Sequence, residues 1–550
     1  MKTCPCFLAV TTLTFAHLAA ATFDVKSLGA VGDGQALDTA AINRAIDAAA
    51  AAGGGTVEFP AGNYLAFSIH LRSHVTLHLD AGATIVAAEP PVDLATGYDP
   101  PEPNPVTEYY EDFGHSHWHN SLIWGEELED IGITGPGRIF GRGLSKGDHE
   151  GHRRDLLPEE RARPPAARPD VALPASAVAR IQAQVAGPFG FPGQDTLPAG
   201  VGNKAIALKN CRNVIFRDFT VYHGGHFAIL ATGVDNWTCD GLRIDTNRDG
   251  IDFDCCQNVR VANCTVNSPY DDGICPKASF ALGRVRPTEN VTITNCQVSG
   301  YDEGTLLDGT RRRSLRDPTG RIKCGTEANG GFRNLTISNC VFDHCRGLAL
   351  EEVDGGSMED ITVSNLAMRD IVNAPIYLRL GARLRGPDPI AIGTARRIRI
   401  ANVIAHDVAA QGGILILGVA GHPVEDVALS QIFIDYAGGG TADQAARVMP
   451  EDDRGYPEPA HHGITPAWGL FARHVRNLDV SHVELRVNRD DARPAVQLED
   501  VLEAAFDALR ASRSPAAPTF VLQDVTGFTV HNSPALPEVR RSEPIAREKL

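Results

Sequence analysis

The sequence predicts an all-β protein built as a parallel β-helix, a solenoid with an N-terminal capping helix and long loop insertions. Three observations predict it. First, a short unit recurs along the chain, as AIALKNC at 205–211, VRVANC at 259–264, VTITNC at 291–296, LTISNC at 335–340, ITVSNL at 361–366 and IRIANV at 398–403. Loose self-similarity at this scale is the mark of stacked coils. Second, each unit alternates apolar and polar residues as a half-buried strand does, and no helical period separates the units. Third, 54 glycines and only 6% aromatic residues suit many short turns and small packing residues better than a helical bundle.

The elements follow in order. Lys2, the apolar run Phe7 to Leu18 and the small residues Ala19 to Ala21 read as an export leader over residues 1–21, with a buried N-terminal strand as the alternative. A helix is expected from about Ala40 to Ala52, capped by Asp38 and Thr39 and ended by Gly53 to Gly55. Thr56 to Phe59 and Ile69 to Leu79 then read as strands. Residues 99–200 interrupt the pattern with Pro-rich stretches and the run YYEDFGHSHWHNSLIW, an excursion that would lie on one face and cap a cleft. The repeats resume and continue to the C-terminal part, so one catalytic domain spans 22–535. Residues 536–550 are expected to be a disordered tail.

The repeated Asn marks a turn. Asn tolerates left-handed backbone and bonds its own chain, so stacked turns would lay amide over amide. Cys211, Cys264, Cys296 and Cys340 follow these Asn residues and are expected at one inward-facing register as reduced core thiols. A Cys340–Cys345 disulfide is the alternative, and Cys255 and Cys256 read as structural.

Composition excludes some functions. A net charge of −17 repels polyanions at long range, so no nucleic-acid partner is expected. An acidic polysaccharide would also be repelled unless a local cationic site receives it. No run after the leader has the ~18 apolar residues of a membrane helix.

The chemistry concentrates in DTNRDGIDFD at 245–254 and SPYDDGICPK at 268–277. The two lie about one coil apart, so stacking would set Asp249 beside Asp271 and Asp272 in a single groove. Adjacent carboxylates repel, and burial raises at least one pKa. One protonated acid beside one ionised base is what glycoside hydrolysis requires. The plainer alternative is that these aspartates only cap turns.

At these residues the chain resembles glycoside hydrolase family 28, the polygalacturonases and their rhamnogalacturonase-like relatives. Asn247-Arg-Asp249-Gly is similar to the family's Asn-Thr-Asp-Gly motif, and Asp271-Asp272-Gly-Ile to its Asp-Asp motif. The opening GAVGDG and GGGTVEFPAGNY, and GTEANGGFRNL at 325–335, carry the likeness over about 23–485. The resemblance implies a right-handed, pectin lyase-like β-helix, an inverting mechanism, and no metal or other cofactor. It implies Asp271 as the general acid, Asp249 and Asp272 positioning and deprotonating the water, and Asn247 holding substrate or orienting a carboxylate. Inversion by a water calls for carboxyl groups ~6.5–9.5 Å apart.

Departures from the pattern bear on specificity. No Gly-His-Gly follows Asp272. Arg321-Ile-Lys323 occurs in the context where that His belongs, so its register as the family's Arg-Ile-Lys is open to coincidence. Where the family has that motif, the chain reads Ala349-Leu350-Glu351-Glu352. Glu351 would then repel a galacturonate there, favouring a neutral sugar or another entry direction. The cationic patch would come from Arg311, Arg312, Arg313, Arg321 and Lys323 with Lys277, Arg suiting bidentate carboxylate recognition. A solvated loop is the alternative for the Arg run.

His115, His117 and His119 would share one side of a strand. Cleft wall or substrate contact (His117 above all), a structural role and a zinc site all remain open for them. His223 and His226, one coil before Asn247, are candidates to replace the missing family His near Asp271.

The expected function is therefore hydrolysis of α-galacturonosyl linkages in pectic poly- or oligosaccharide by an exported monomer, exo-acting because the insertions would close one end of the groove. A pectate or rhamnogalacturonan lyase or other uronate-modifying enzyme on the same scaffold, and a non-catalytic polysaccharide-binding solenoid, are the competing readings.

Overall fold

The computed structural model describes residues 21–550 apart from 92–95, 105–106, 108–109, 113, 147–196, 198–199, 315–317, 516 and 535. The expected leader lies outside the described residues except for Ala21, as does about half of the 99–200 excursion.

The chain winds as a parallel β-helix. One face is a six-stranded sheet of Ile69–His70, Ser121–Glu126, Lys204–Lys209, Phe227–Thr232, Asp249–Asp254 and Ile274–Lys277, each strand parallel to the next. Alternation fixes its register. Ile69, Ile123, Ile206, Ile229, Ile251, Ile274 and Ile322 stack inward in one column through seven coils. All seven are fully buried. Each contributes about 2–3 kcal/mol of apolar burial, so the column resists a one-residue slip, which would turn every member outward.

The turns carry two Asn ladders, the first formed by residues outside the repeated Asn positions and the second by three of those positions. Asn213, Asn236, Asn258, Asn290 and Asn334 all have positive φ. Their amides run in a ladder, Asn236 donating to Asn213 at 3.0 Å, Asn258 to Asn236 at 3.2 Å, Asn290 to Asn258 at 3.1 Å and Asn334 to Asn290 at 2.8 Å. A second ladder runs from Asn402 to Asn365 to Asn339. The single cysteine register is corrected. Cys264, Cys296 and Cys340 form one column, because Gln297 N bonds Cys264 O and Val341 N bonds Cys296 O. Cys211 belongs to another column with Val234 and Cys256, set by Asp235 N to Cys211 O and Gln257 N to Val234 O. The Asn before Cys211 closes a different turn of the coil. All ten cysteines among the described residues are free and buried.

The helix spans Thr39–Ala51, and Ile42, Ala45, Ile46 and Ala49 bury one face against the first coils. Asp38 is not the expected side-chain cap. Its carboxylate instead accepts Val31 N at 2.7 Å and Gly32 N at 3.0 Å, pinning the preceding loop. The expectation of a disordered tail over 536–550 is also corrected. Val539–Arg541 and Ile545–Lys549 pair antiparallel with Phe520–His531. They satisfy an edge that the last coil would otherwise leave open.

Candidate active site

The site forms where strands Asp249–Asp254 and Ile274–Lys277 begin. Glycine after each acid lets the coils approach. A Cβ on Gly250 would sit 2.4 Å from Gly273 O, and Gly250 N donates to Asp272 O at 3.0 Å. Stacking then brings Asp249, Asp271 and Asp272 together, with one carboxylate oxygen of each within 4.8 Å of the other two. That is closer than the ~6.5–9.5 Å expected of an inverting pair. Two oxygens this close can still share one water at hydrogen-bond lengths of about 2.8 Å.

The three are not equivalent, and the expectation that all open into a groove holds for Asp271 only. Its side chain is 24% exposed, against 3% for Asp249 and 1% for Asp272. The outer face of the sheet here is roofed by the described part of the excursion. Trp118 Nε1 donates to Thr232 Oγ1 at 3.0 Å, and His115 Nε2 lies 3.5 Å from Asp252.

Asp249 is pushed well above the usual carboxylate range by burial and by the negative charges of Asp252 and Asp271. Burial would raise Asp272 too. There Lys323 Nζ, 2.8 Å from Oδ2, and Arg321 Nε, 2.9 Å from Oδ1, outweigh burial and hold the carboxyl well below its ordinary value. The site therefore carries one acid that keeps its proton beside one that does not. Asp271 takes a third partner, Arg248, at 2.6 Å.

Arg321-Ile-Lys323 lies one coil before Ala349-Leu350-Glu351, as its sequence context suggested, so it does not occupy the register of the family's Arg-Ile-Lys. Ile274 bridges Ile322 in parallel, so the tripeptide lies in the coil directly after Asp271-Asp272. Both cations are at most 2% exposed and point at protein carboxylates. The proposal of a substrate-gripping patch from these two is thereby corrected. Glu351 does not repel a substrate at the groove either. It is fully buried 3.8 Å from Arg321 and 4.0 Å from Lys323, and burial pushes its pKa up to about 7. Lys277 is likewise buried, 3.1 Å from Glu327 and 3.8 Å from Asp252, rather than at a substrate-contacting surface.

His226 is the histidine beside the acids. Its Nδ1 lies 2.9 Å from Lys146 O, which can only accept, so Nδ1 carries the proton. The Nε2 lone pair then faces Asp249 Oδ2 at 3.9 Å. Burial, then Arg248 and His115, hold the ring well below its usual pKa, so it stays neutral. His223 bonds Glu303 at 2.7 Å, and Asn247 donates to the same carboxylate at 3.2 Å. His117 is buried on Glu102 O at 2.8 Å, while His119 stacks on Trp124 with centroids 4.0 Å apart. The three alternating histidines thus diverge to separate partners and do not form the zinc site that their spacing left open. Arg312 and Arg313 are exposed and pair with Asp302 and Asp370, as a solvated loop would.

Sequence reasoning missed Glu303, Tyr456 and Glu458. Glu303 is held over Asn247 because Asp245 accepts the backbone N–H groups of Gly304, Leu306 and Leu307 at 2.8–3.0 Å. Glu458 pairs with Arg321 and, at 3.0 Å, with Arg346. Tyr456 accepts Thr326 Oγ1 at 3.0 Å. The acid-rich insertion YDEGTLLDG pointed to Glu303; nothing local marked the other two.

Comparison with known proteins agrees with this architecture. Residues 22–91 match the family described as rhamnogalacturonase A/epimerase, pectate lyase-like, and residues 199–309 match the right-handed β-helix region. The chain is a right-handed parallel β-helix. The exo-poly-α-D-galacturonosidase of Dickeya chrysanthemi is 23% identical over 377 residues, 65% of this chain. The match spans 56% of that protein's length. The mannuronan C5-epimerase AlgE5 of Azotobacter vinelandii is 36% identical over 135 residues, 20% of this chain and 14% of that protein. The exopolygalacturonase of Thermotoga maritima superposes with a TM-score of 0.55 at 18% identity, covering 76% of this chain and 87% of that one. That likeness establishes the shared fold. Among the described residues no helix is long and apolar enough to cross a membrane.

Proposed function

We propose that the protein hydrolyses α-galacturonosyl linkages of pectic oligosaccharides. The observation that carries the reading is the aspartate trio, in which Asp249 keeps a proton, Asp272 stays ionised and Asp271 faces solvent, all within 4.8 Å. Hydrolysis at an acetal needs a proton for the leaving oxygen and a base for the water. Asp271, the acid a sugar can touch, protonates the glycosidic oxygen as its bond to the anomeric carbon breaks. The attacking water gives its proton to Asp249 and is oriented by Asp272. The resting proton sits on Asp249, so it must pass to Asp271 before the step. Neutral His226 fits a supporting role, since its lone pair faces protonated Asp249 at 3.9 Å, a separation that must shorten before it can accept the proton.

Exo action is supported by what surrounds the trio. Tyr456 and Glu458 close over Lys323 and Arg321 on one side. The described part of the 99–200 excursion is tied across the neighbouring coils by the Arg385–Asp112 ion pair. Export rests on the leader-like residues 1–21.

The test is incubation with defined galacturonan and rhamnogalacturonan oligomers, reading product mass and anomeric form. Release of single galacturonate units with inverted configuration is expected. A product absorbing as a 4,5-unsaturated uronate would replace this reading with a lyase.

A further inference from the structure

Four cations stand near the trio, and three of them are buried on carboxylates. Arg321, Lys323 and Lys277 are each at most 4% exposed and are ion-paired to Asp272, Glu458, Glu327 and Asp252. None can turn to a ligand without abandoning a buried carboxylate, which is costly. Arg248 differs. Its side chain is 26% exposed, and its partner is the one aspartate of the trio that solvent reaches. Lys146, further out, is paired with Glu303. A pair whose partners are each about a quarter exposed gives up less on exchange than the fully buried pairs around it, and the guanidinium fork suits any incoming carboxylate equally well.

We infer that Arg248 is the receptor for the substrate's carboxylate, and that this carboxylate takes the place of Asp271 on the guanidinium. The inference rests on the hydrolase reading and deepens it. It explains how an acidic protein admits an acidic sugar, since the entering anion exchanges with an anion already present on the guanidinium. It also supplies the missing proton transfer. Asp271, relieved of its counter-ion, receives the proton that Asp249 holds at rest. Asp249 becomes the anion facing the water. Catalytic competence is thus coupled to the presence of a free uronate carboxylate. A neutral or esterified sugar that fits the cleft leaves Arg248 on Asp271 and the proton on the wrong acid.

The experiment compares free-acid and methyl-esterified galacturonate trimers on the wild-type protein, Arg248→Gln and Arg248→Lys. Hydrolysis and calorimetric binding are both measured, and thermal melts check the fold. The wild type is expected to favour the free acid by at least tenfold in kcat/KM and in Kd. R248Q should lose most of that preference, and R248K should keep part of it, having the charge without the fork. A folded R248Q that still prefers the free acid as strongly as the wild type overturns the inference while leaving the hydrolase reading intact. Arg248-dependent binding of the free acid without hydrolysis would sink the hydrolase reading and keep the carboxylate receptor. Neither binding nor hydrolysis of either trimer overturns both.

Discussion

Lys323 Nζ lies 2.8 Å from Asp272 Oδ2, both buried, and this contact sets the charge state of the whole acidic site. Lys323 is the largest of the charges that offset burial at Asp272, ahead of Arg321, so its loss would move the carboxyl toward its protonated form. Lys323→Met should therefore lower hydrolysis by about 10²- to 10⁴-fold, the range for loss of acid–base function. It should also cost about 3 kcal/mol of stability, since one partner of a buried pair is removed while Arg321 remains. Oligomer kinetics and denaturant melts of the variant check both figures.

Asp249→Asn and Asp272→Asn should part company. Asp249 is held neutral, so an amide of the same shape replaces it with little loss of stability, within about 1 kcal/mol, while activity falls by about 10³-fold. Asp272→Asn leaves Lys323 and Arg321 without their carboxylate and should destabilise by about 3–5 kcal/mol. Equal destabilisation of the two variants would contradict a neutral Asp249 beside an ionised Asp272.

The pH dependence of these two groups has opposite sign. Asp272 has a lowered pKa, so its contribution is present above the unfolded carboxyl value of about 3.9 and is lost as pH falls through the folded value. The stability gap between wild type and D272N should hold from pH 5 to 8 and narrow below about pH 4. Asp249 has a raised pKa, so the native state holds more protons than the unfolded state above about pH 3.9, and the site loses stability as pH rises. D249N should therefore gain on the wild type as pH climbs from 4 to 8. Melting temperatures of both variants across that range supply the measurement.

His226 should remain an Nδ1-protonated neutral imidazole well below pH 6, because burial and the Arg248 charge oppose a second proton. Nitrogen NMR shifts report the tautomer directly. A ring that titrates near its ordinary value would remove His226 as an acceptor for Asp249.

Asn258 donates to Asn236 and accepts from Asn290 with φ +59°. Asn258→Ala removes both amide bonds and leaves a residue that tolerates left-handed backbone less well than Asn, costing about 2–3 kcal/mol. Activity should be unaffected, since the ladder lies on exposed turns away from the trio. Chemical melts and oligomer kinetics test the pair of expectations.

The repeating strand pattern announced the solenoid because its period is carried by neighbouring residues. The isoleucine column and the Asn ladders are the same signal seen in space. The spacing between Asp249 and Asp271-Asp272, one coil, was equally local, and so their meeting was readable. Where spacing varied, register blurred. Cys211 could not be told from the other Asn-Cys pairs, because its turn and theirs have the same local chemistry.

What the sequence determined by itself was the winding, the stacking register and the convergence of three aspartates. What only the tertiary structure decided was their ionisation. Glu458 reaches Arg321 from a loop more than a hundred residues away, Glu351 turns inward beneath Lys323, and Trp118 and His115 roof the sheet. Proton affinity depends on burial and on every charge within a few ångströms. Apart from Glu351, which lies on the core strand Leu348–Glu352, those neighbours come from insertions whose landing places no periodicity encodes.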